Sequence, residues 1–206
     1  MRLLAMAAAH IVMFALFGIQ GSRASQIVLS DPLTAWPLNF GPQSANVMLR
    51  DGAVHIVESG DAASWVTISG FNFADMDASV TITSQTASGN AAGLIFWATA
   101  PQDFFEFAIY DSIGSFGVTR RLPAGGGSWQ ILVPATKSAA VKSGIGAANT
   151  ARIVTKGNAA ALFINGQPVG NLDVQAPSGG GTVGIEGEGQ AGQSADYVFS
   201  NLVVSQ

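Results

Sequence analysis

Beyond Ala24 the chain almost never repeats apolar residues at the three- and four-residue spacing of a helix. Short apolar or alternating runs recur instead, each closed by Gly, Asn, Asp or Pro. A backbone whose side chains point by turns to opposite faces is extended, so these runs are strands. They fall near Ala53 to Glu58, Ser64 to Ser69, Ala78 to Thr83, Gly93 to Thr99 and Phe104 to Tyr110. Others fall near Ser115 to Arg120, Trp129 to Val133, Ala151 to Thr155, Ala160 to Ile164, Thr182 to Glu186 and Tyr197 to Val204. About eleven short strands with turn signals between them predict an all-β, two-sheet antiparallel sandwich. No self-similarity at a fixed period suggests a propeller or solenoid. Asp31 to Pro42, broken by Pro32 and Pro37, reads as loop.

Two hairpins can be set in register. In AALFINGQPVG (Ala160 to Gly170), Asn165 and Gly166 supply the two positive-φ residues of a type I′ turn. Ile164 then faces Gln167, and Phe163 faces Pro168 as a non-hydrogen-bonded pair. Pro168 directs its missing N–H away from Phe163, so the returning strand should be short or at an edge. In FFEFAIYDSIGSFGVTRR a four-residue loop from Asp111 to Gly114 sets Tyr110 opposite Ser115 and Phe107 opposite Val118. Phe105, Phe107, Ile109, Phe116 and Val118 then share the core face. Phe104, Glu106, Tyr110, Thr119 and Arg121 share the other, a mixture of aromatic, acidic and basic groups suited to a sugar.

The N-terminus has Arg2, an apolar run to about Ile19, then Ser22 and Ala24 at cleavage-site positions. This is the pattern of a secretory signal over residues 1–24, leaving 25–206 as one β-sandwich domain exported to the periplasm or beyond. An uncleaved anchor is the alternative reading; His10 within the run opposes stable spanning. The absence of cysteine suits an exported protein that needs no oxidative folding. Charged residues are only 11% of the chain and the formal net charge is -4, with Arg120 and Arg121 the one adjacent basic pair after the leader. Nucleic acid, which demands clustered Lys and Arg, is therefore excluded as a partner.

The ordered series GLIFWAT, FFEFAIY, GSFGVTRR, SWQIL, NTARIV with GNAAALFINGQPV, GTVGIE and DYVFSNLVV resembles the concanavalin A-like jelly-roll superfamily. Within it, bacterial exported domains similar to laminin-G modules and to the 3-keto-disaccharide hydrolase family are the nearest match. The resemblance runs from about Phe73 to Val204. It implies two packed antiparallel sheets, one concave, in a superfamily many of whose members bind or hydrolyse carbohydrate. The alternating acids of laminarinase-like hydrolases, Glu-x-Asp-x-x-Glu or Glu-x-Asp-x-Glu on one strand, are absent.

Glu186 and Glu188 in GIEGEGQ lie two apart on one face, near the spacing of a retaining glycosidase. Gly184, Gly187 and Gly189 flank them, so the expectation is an exposed strand end without a neighbouring Trp. GEGQAG (Gly187 to Gly192) matches a dinucleotide fingerprint but precedes a strand rather than a helix. His55, the one histidine after the leader, alternates with Val54 and Ile56 and reads as structural. Asp75 and Asp77 in FADMDAS are placed as calcium ligands would be at a strand entrance, and as ordinary turn residues would be.

Trp97, Phe104, Glu106, Tyr110 and Arg121 make the best ligand surface, with one of Phe96 and Trp97 expected to face away from the core. The competing reading covers Trp97 with a loop and pairs Glu106 with Arg121 across the hairpin. Three functions follow: a module binding carbohydrate or a cell-surface polymer without turnover; a glycoside-acting hydrolase, with Glu106 the acid to test first; and a structural domain without a small ligand. No cofactor is required beyond the calcium that Asp75 and Asp77 would hold.

Overall fold

A computed structural model describes residues 25–87, 90–123 and 128–206; the expected leader lies outside them. Among the described residues no helix is long and apolar enough to cross a membrane.

The strands, in chain order, are β1 (Ile27–Asp31), β2 (Val47–Arg50), β3 (Ala53–Ser59), β4 (Ala63–Thr67), β5 (Asp77–Ser84), β6 (Ala91–Ala100) and β7 (Asp103–Tyr110). They continue with β8 (Ser115–Arg121), β9 (Trp129–Lys137), β10 (Ala148–Lys156), β11 (Ala159–Ile164), β12 (Gln167–Asp173), β13 (Thr182–Glu188) and β14 (Ser194–Ser205). They form an eight-stranded sheet in the order β12-β11-β10-β5-β14-β3-β2, with β1 also on β14, and a six-stranded sheet in the order β4-β13-β6-β7-β8-β9. Pairing is antiparallel throughout, as the all-β sandwich reading requires.

Every predicted run is a strand. β1 and β2, at five and four residues, are too short to announce themselves by alternation and are held by their partners β14 and β3. The Asp31 to Pro42 stretch is irregular after β1 ends, apart from a single 3-10 turn at Leu38–Phe40.

Both hairpins keep the deduced register. Ile164 pairs with Gln167 and Phe163 with Pro168 around Asn165 (φ 52°) and Gly166 (φ 78°), and β12 is the edge of its sheet. The Asn165 side chain serves the fold. Its Oδ1 accepts from the Thr150 amide at 3.0 Å, and its Nδ2 donates to the Ala140 carbonyl at 2.8 Å and to Asn149 Oδ1 at 2.9 Å. Tyr110 pairs with Ser115 and Phe107 with Val118, around a 3-10 turn at Asp111–Ile113.

The inward face follows from alternation. Val54, Ile56, Val80, Ile82, Phe105, Phe107, Phe116, Val118, Ile153, Leu162, Ile185 and Phe199 form one buried cluster between the sheets. β6 breaks the rule. Its register with β7 runs Phe96 to Phe105 and resumes only at Ala100 with Asp103, and Trp97 has φ 51°. This bulge turns two successive side chains the same way. Phe96 and Trp97 both lie in the core at 0% exposure, and the Trp97 indole meets Phe105 edge-on at 5.5 Å. The expectation that one of them faces outward, and the placement of Trp97 on a ligand surface, are thereby corrected.

Candidate functional site

The outer face of the six-stranded sheet carries a second, smaller apolar cluster of Ile95, Ala98 and Phe104, with Trp65 packed on it. Phe104 shares its face with Glu106 and Arg121 as alternation demands, but it is fully buried: the rings of Trp65 and Trp129 cover it at 5.5 and 5.8 Å. Phe104 therefore supports a surface without being one. Register explains the covering. Arg121 stands between Phe104 on β7 and Trp129 on β9, and its guanidinium lies 4.4 Å from the Trp65 ring and 5.2 Å from the Trp129 ring. Two indoles thus bracket a cation, an arrangement favoured by the negative faces of both rings.

Beside this stack lie three glutamates from two strands. Glu186 pairs across β13 with Trp65 on β4 and with Gly93 on β6; Glu106 reaches toward it from β7. Both are buried, Glu106 at 5% and Glu186 at 1% exposure, and their carboxyls hydrogen-bond to each other. Two carboxyl groups can do so only by holding a proton between them. Burial first, and then the negative charge of Glu106, pushes Glu186 well above the usual carboxylate range. Burial raises Glu106 too, against hydrogen bonds from Glu186 and Thr119, whose Oγ1 donates to Glu106 Oε2 at 3.1 Å. Oε2 of Glu186 has no partner within the described chain. Glu188 is half-buried; burial, then the charges of Glu106 and Asp61, raise it to about 7 against a hydrogen bond from Asn90. The Tyr110 hydroxyl is pushed up by burial and by the same acids.

Two depressions flank Trp129. One, of about 320 Å³, is walled by Asp61, Trp65, Arg121, Trp129 and Glu188. The other, of about 250 Å³, is walled by Asn90, Glu106, Tyr110, Thr119, Trp129 and Glu188. Trp129 and Glu188 belong to both, and Trp129 is 38% exposed. A larger cavity of about 420 Å³ beside Leu29, Leu33, Trp36 and Phe40 has a mainly apolar lining and no comparable set of acids.

Of the predicted ligand residues, Glu106, Tyr110 and Arg121 are brought together here. Glu106 is buried rather than open, and the competing reading that sets it opposite Arg121 across the hairpin is also corrected: Glu106 faces Thr119, and Arg121, partly exposed, faces Phe104. Glu186 is no exposed strand end. It stands beside Trp65 on the neighbouring strand, a pairing invisible in the sequence because β4 and β13 are over a hundred residues apart. Trp65 and Trp129 lie in runs that read as strands but carry no ligand signal in the sequence, and Glu188, considered there only as the companion of Glu186, lies two residues past the predicted run from Thr182 to Glu186.

Asp75 and Asp77 are occupied elsewhere. Asp75 Oδ1 accepts from the Gly157 amide at 2.8 Å, and both Asp77 oxygens are held by Arg152 at 2.7 and 2.6 Å. Among the described residues no group of three His, Cys, Asp or Glu stands ready for a metal ion. His55 lies on the other sheet, with Nδ1 2.7 Å from Asp196 Oδ1 and 3.0 Å from an Arg50 nitrogen. Ser194, just beyond Gly187 to Gly192, begins β14, so no helix follows that glycine string.

A search of curated proteins gives no match. Among solved structures, the fold is similar to carbohydrate binding module CBM66 from Bacillus subtilis, with 12% identity and TM-score 0.59 over 73% of this chain and 86% of that one. It is similar also to a Bacillus licheniformis beta-glucanase, with 12% identity and TM-score 0.55 over 90% and 99% of the two chains. A third is a prokaryotic beta-1,3-1,4-glucanase (lichenase) from a mouse hindgut metagenome, with 10% identity and TM-score 0.56 over 86% and 98%. These likenesses show a shared fold, the two-sheet antiparallel sandwich. Residues 28–204 match the profile of one family along almost the whole described sandwich, and the chain belongs to the 3-keto-alpha-glucoside-1,2-lyase-like domain family.

Proposed function

We propose that this is an exported domain that binds carbohydrate on the outer face of its six-stranded sheet, over Trp129. The observation that carries the reading is the partly exposed Trp129 indole between two depressions furnished with carboxylate, hydroxyl, amide and guanidinium groups. A pyranose face stacks on such a ring while polar groups take its hydroxyls. Export rests on the sequence of residues 1–24. A glycan array on the purified protein, with and without calcium, tests the reading: Trp129→Ala is expected to abolish the signal of any glycan bound, and full retention would place the site elsewhere.

A second reading is favoured by Glu188, a carboxyl raised to about 7 that borders both depressions in a member of a lyase-like family. A base there suits 1,2-elimination from a 3-keto-glucoside. It would take the proton from C2, acidified by the ketone, while the C1–oxygen bond breaks, a C1–C2 double bond forms and the departing oxygen is protonated. Glu186, which borders neither depression, is too deeply covered to meet substrate itself. Incubation with a 3-keto-glucoside distinguishes the readings: an unsaturated product formed by the native protein and lost in Glu188→Gln supports turnover, and unchanged substrate supports binding alone.

A further inference from the structure

The charge of the site selects among sugars. Three carboxylic acids, Asp61, Glu106 and Glu188, border the two depressions, with Glu186 directly beneath, while Arg121 is the only basic side chain among the described residues that line either one. That guanidinium is already held between two indoles. Even with one proton shared by Glu106 and Glu186, acid exceeds base. Glu188 and Asp61 repel one another across the first depression, and a buried Glu186 oxygen lacks a donor.

An ammonium group placed among Asp61 and Glu188 relieves that repulsion; a carboxylate or sulfate there intensifies it. Burial strengthens both effects, because Glu188 is partly withdrawn from water. The polar wall of the second depression (Asn90, Thr119 and Tyr110) carries no positive charge and is suited to hydroxyls. The walls therefore ask for one cationic group and several hydroxyls on a scaffold with a flat apolar face.

We propose that the face over Trp129 recognises sugars bearing a free amine, with hexosamine ammonium between Asp61 and Glu188, in preference to N-acetylated, neutral or uronic counterparts. The proposal rests on the carbohydrate-binding reading and names its ligand class.

Calorimetry on the purified protein at about pH 7, where a substantial share of both Glu188 and the sugar amines is charged, tests it with four tetrasaccharides: de-acetylated chitosan, chitin, cellulose and polygalacturonate oligomers. The chitosan oligomer is expected to bind about tenfold or more tightly than the other three, with a preference that shrinks in high salt. Asp61→Asn, at an exposed position, and Glu188→Gln are each expected to narrow the ratio of chitosan to chitin affinity, whatever either does to sugar affinity as a whole. Equal affinity for chitosan and cellulose oligomers, or tighter binding of the uronate, overturns the amine preference while leaving sugar binding intact. Absence of binding to all four overturns both.

Discussion

Glu106 and Glu186 meet carboxyl to carboxyl across the place where Gly93 has no side chain. A Cβ at Gly93 would stand 2.5 Å from Glu106 Oε1 and 2.8 Å from the Phe107 carbonyl oxygen. The glycine lies mid-strand on β6, with Glu186 opposite it on β13, and its cost in backbone freedom is offset by the room it gives the acid pair.

Gly93→Ala should therefore separate the two carboxyls and destabilise the protein by roughly 1–3 kcal/mol. Urea unfolding measures the loss. In a Glu106→Ala background the same substitution should cost less, since the contact with the Glu106 side chain is gone while that with the Phe107 carbonyl remains.

Stability should fall as pH rises from about 4.5 to about 7, the interval between the ordinary glutamate value and that of folded Glu188. A carboxyl raised on folding binds its proton more tightly in the native state, so its contribution is complete below the unfolded value and lost above the folded one. Glu186 acts in the same direction. Glu188→Gln should flatten the slope of unfolding free energy against pH in that interval; an unchanged slope would assign the effect to other groups.

The two tryptophans that bracket the question of ligand and core should behave oppositely. Trp97→Ala removes a fully buried ring and should cost about 3–5 kcal/mol in denaturant unfolding. Trp129→Ala, at a partly exposed edge-strand position, should cost no more than about 1 kcal/mol while abolishing glycan binding.

Asn165→Ala forces an alanine to a positive φ and removes three hydrogen bonds, an expected loss of about 1–3 kcal/mol. Asn165→Gly keeps the turn and should lose less. Neither should alter glycan affinity, because that hairpin belongs to the sheet opposite the candidate site.

The fold was legible because burial on one face imposes a period of two, and because Asn165-Gly166 and Asp111 to Gly114 fix register locally. Trp97 defied that logic since a bulge reverses which face the next residue takes, and its tryptophan is not a residue that advertises a positive φ. The acid cluster was half legible. Glu106, Tyr110 and Arg121 are close in sequence on one hairpin, whereas Trp65 reaches Glu186 only through the β4–β13 ladder, a pairing of distant segments that alternation cannot specify. Burial of Glu106 follows from that same long-range assembly.

The proline opposite Phe163 has a consequence beyond its own strand. Because the pair is non-hydrogen-bonded, the position where Pro168 lacks an N–H faces outward from the rim of the eight-stranded sheet. A second molecule laying a strand along that rim would find a donor missing at its start, so the boundary discourages open-ended self-association and the precipitation that follows from it.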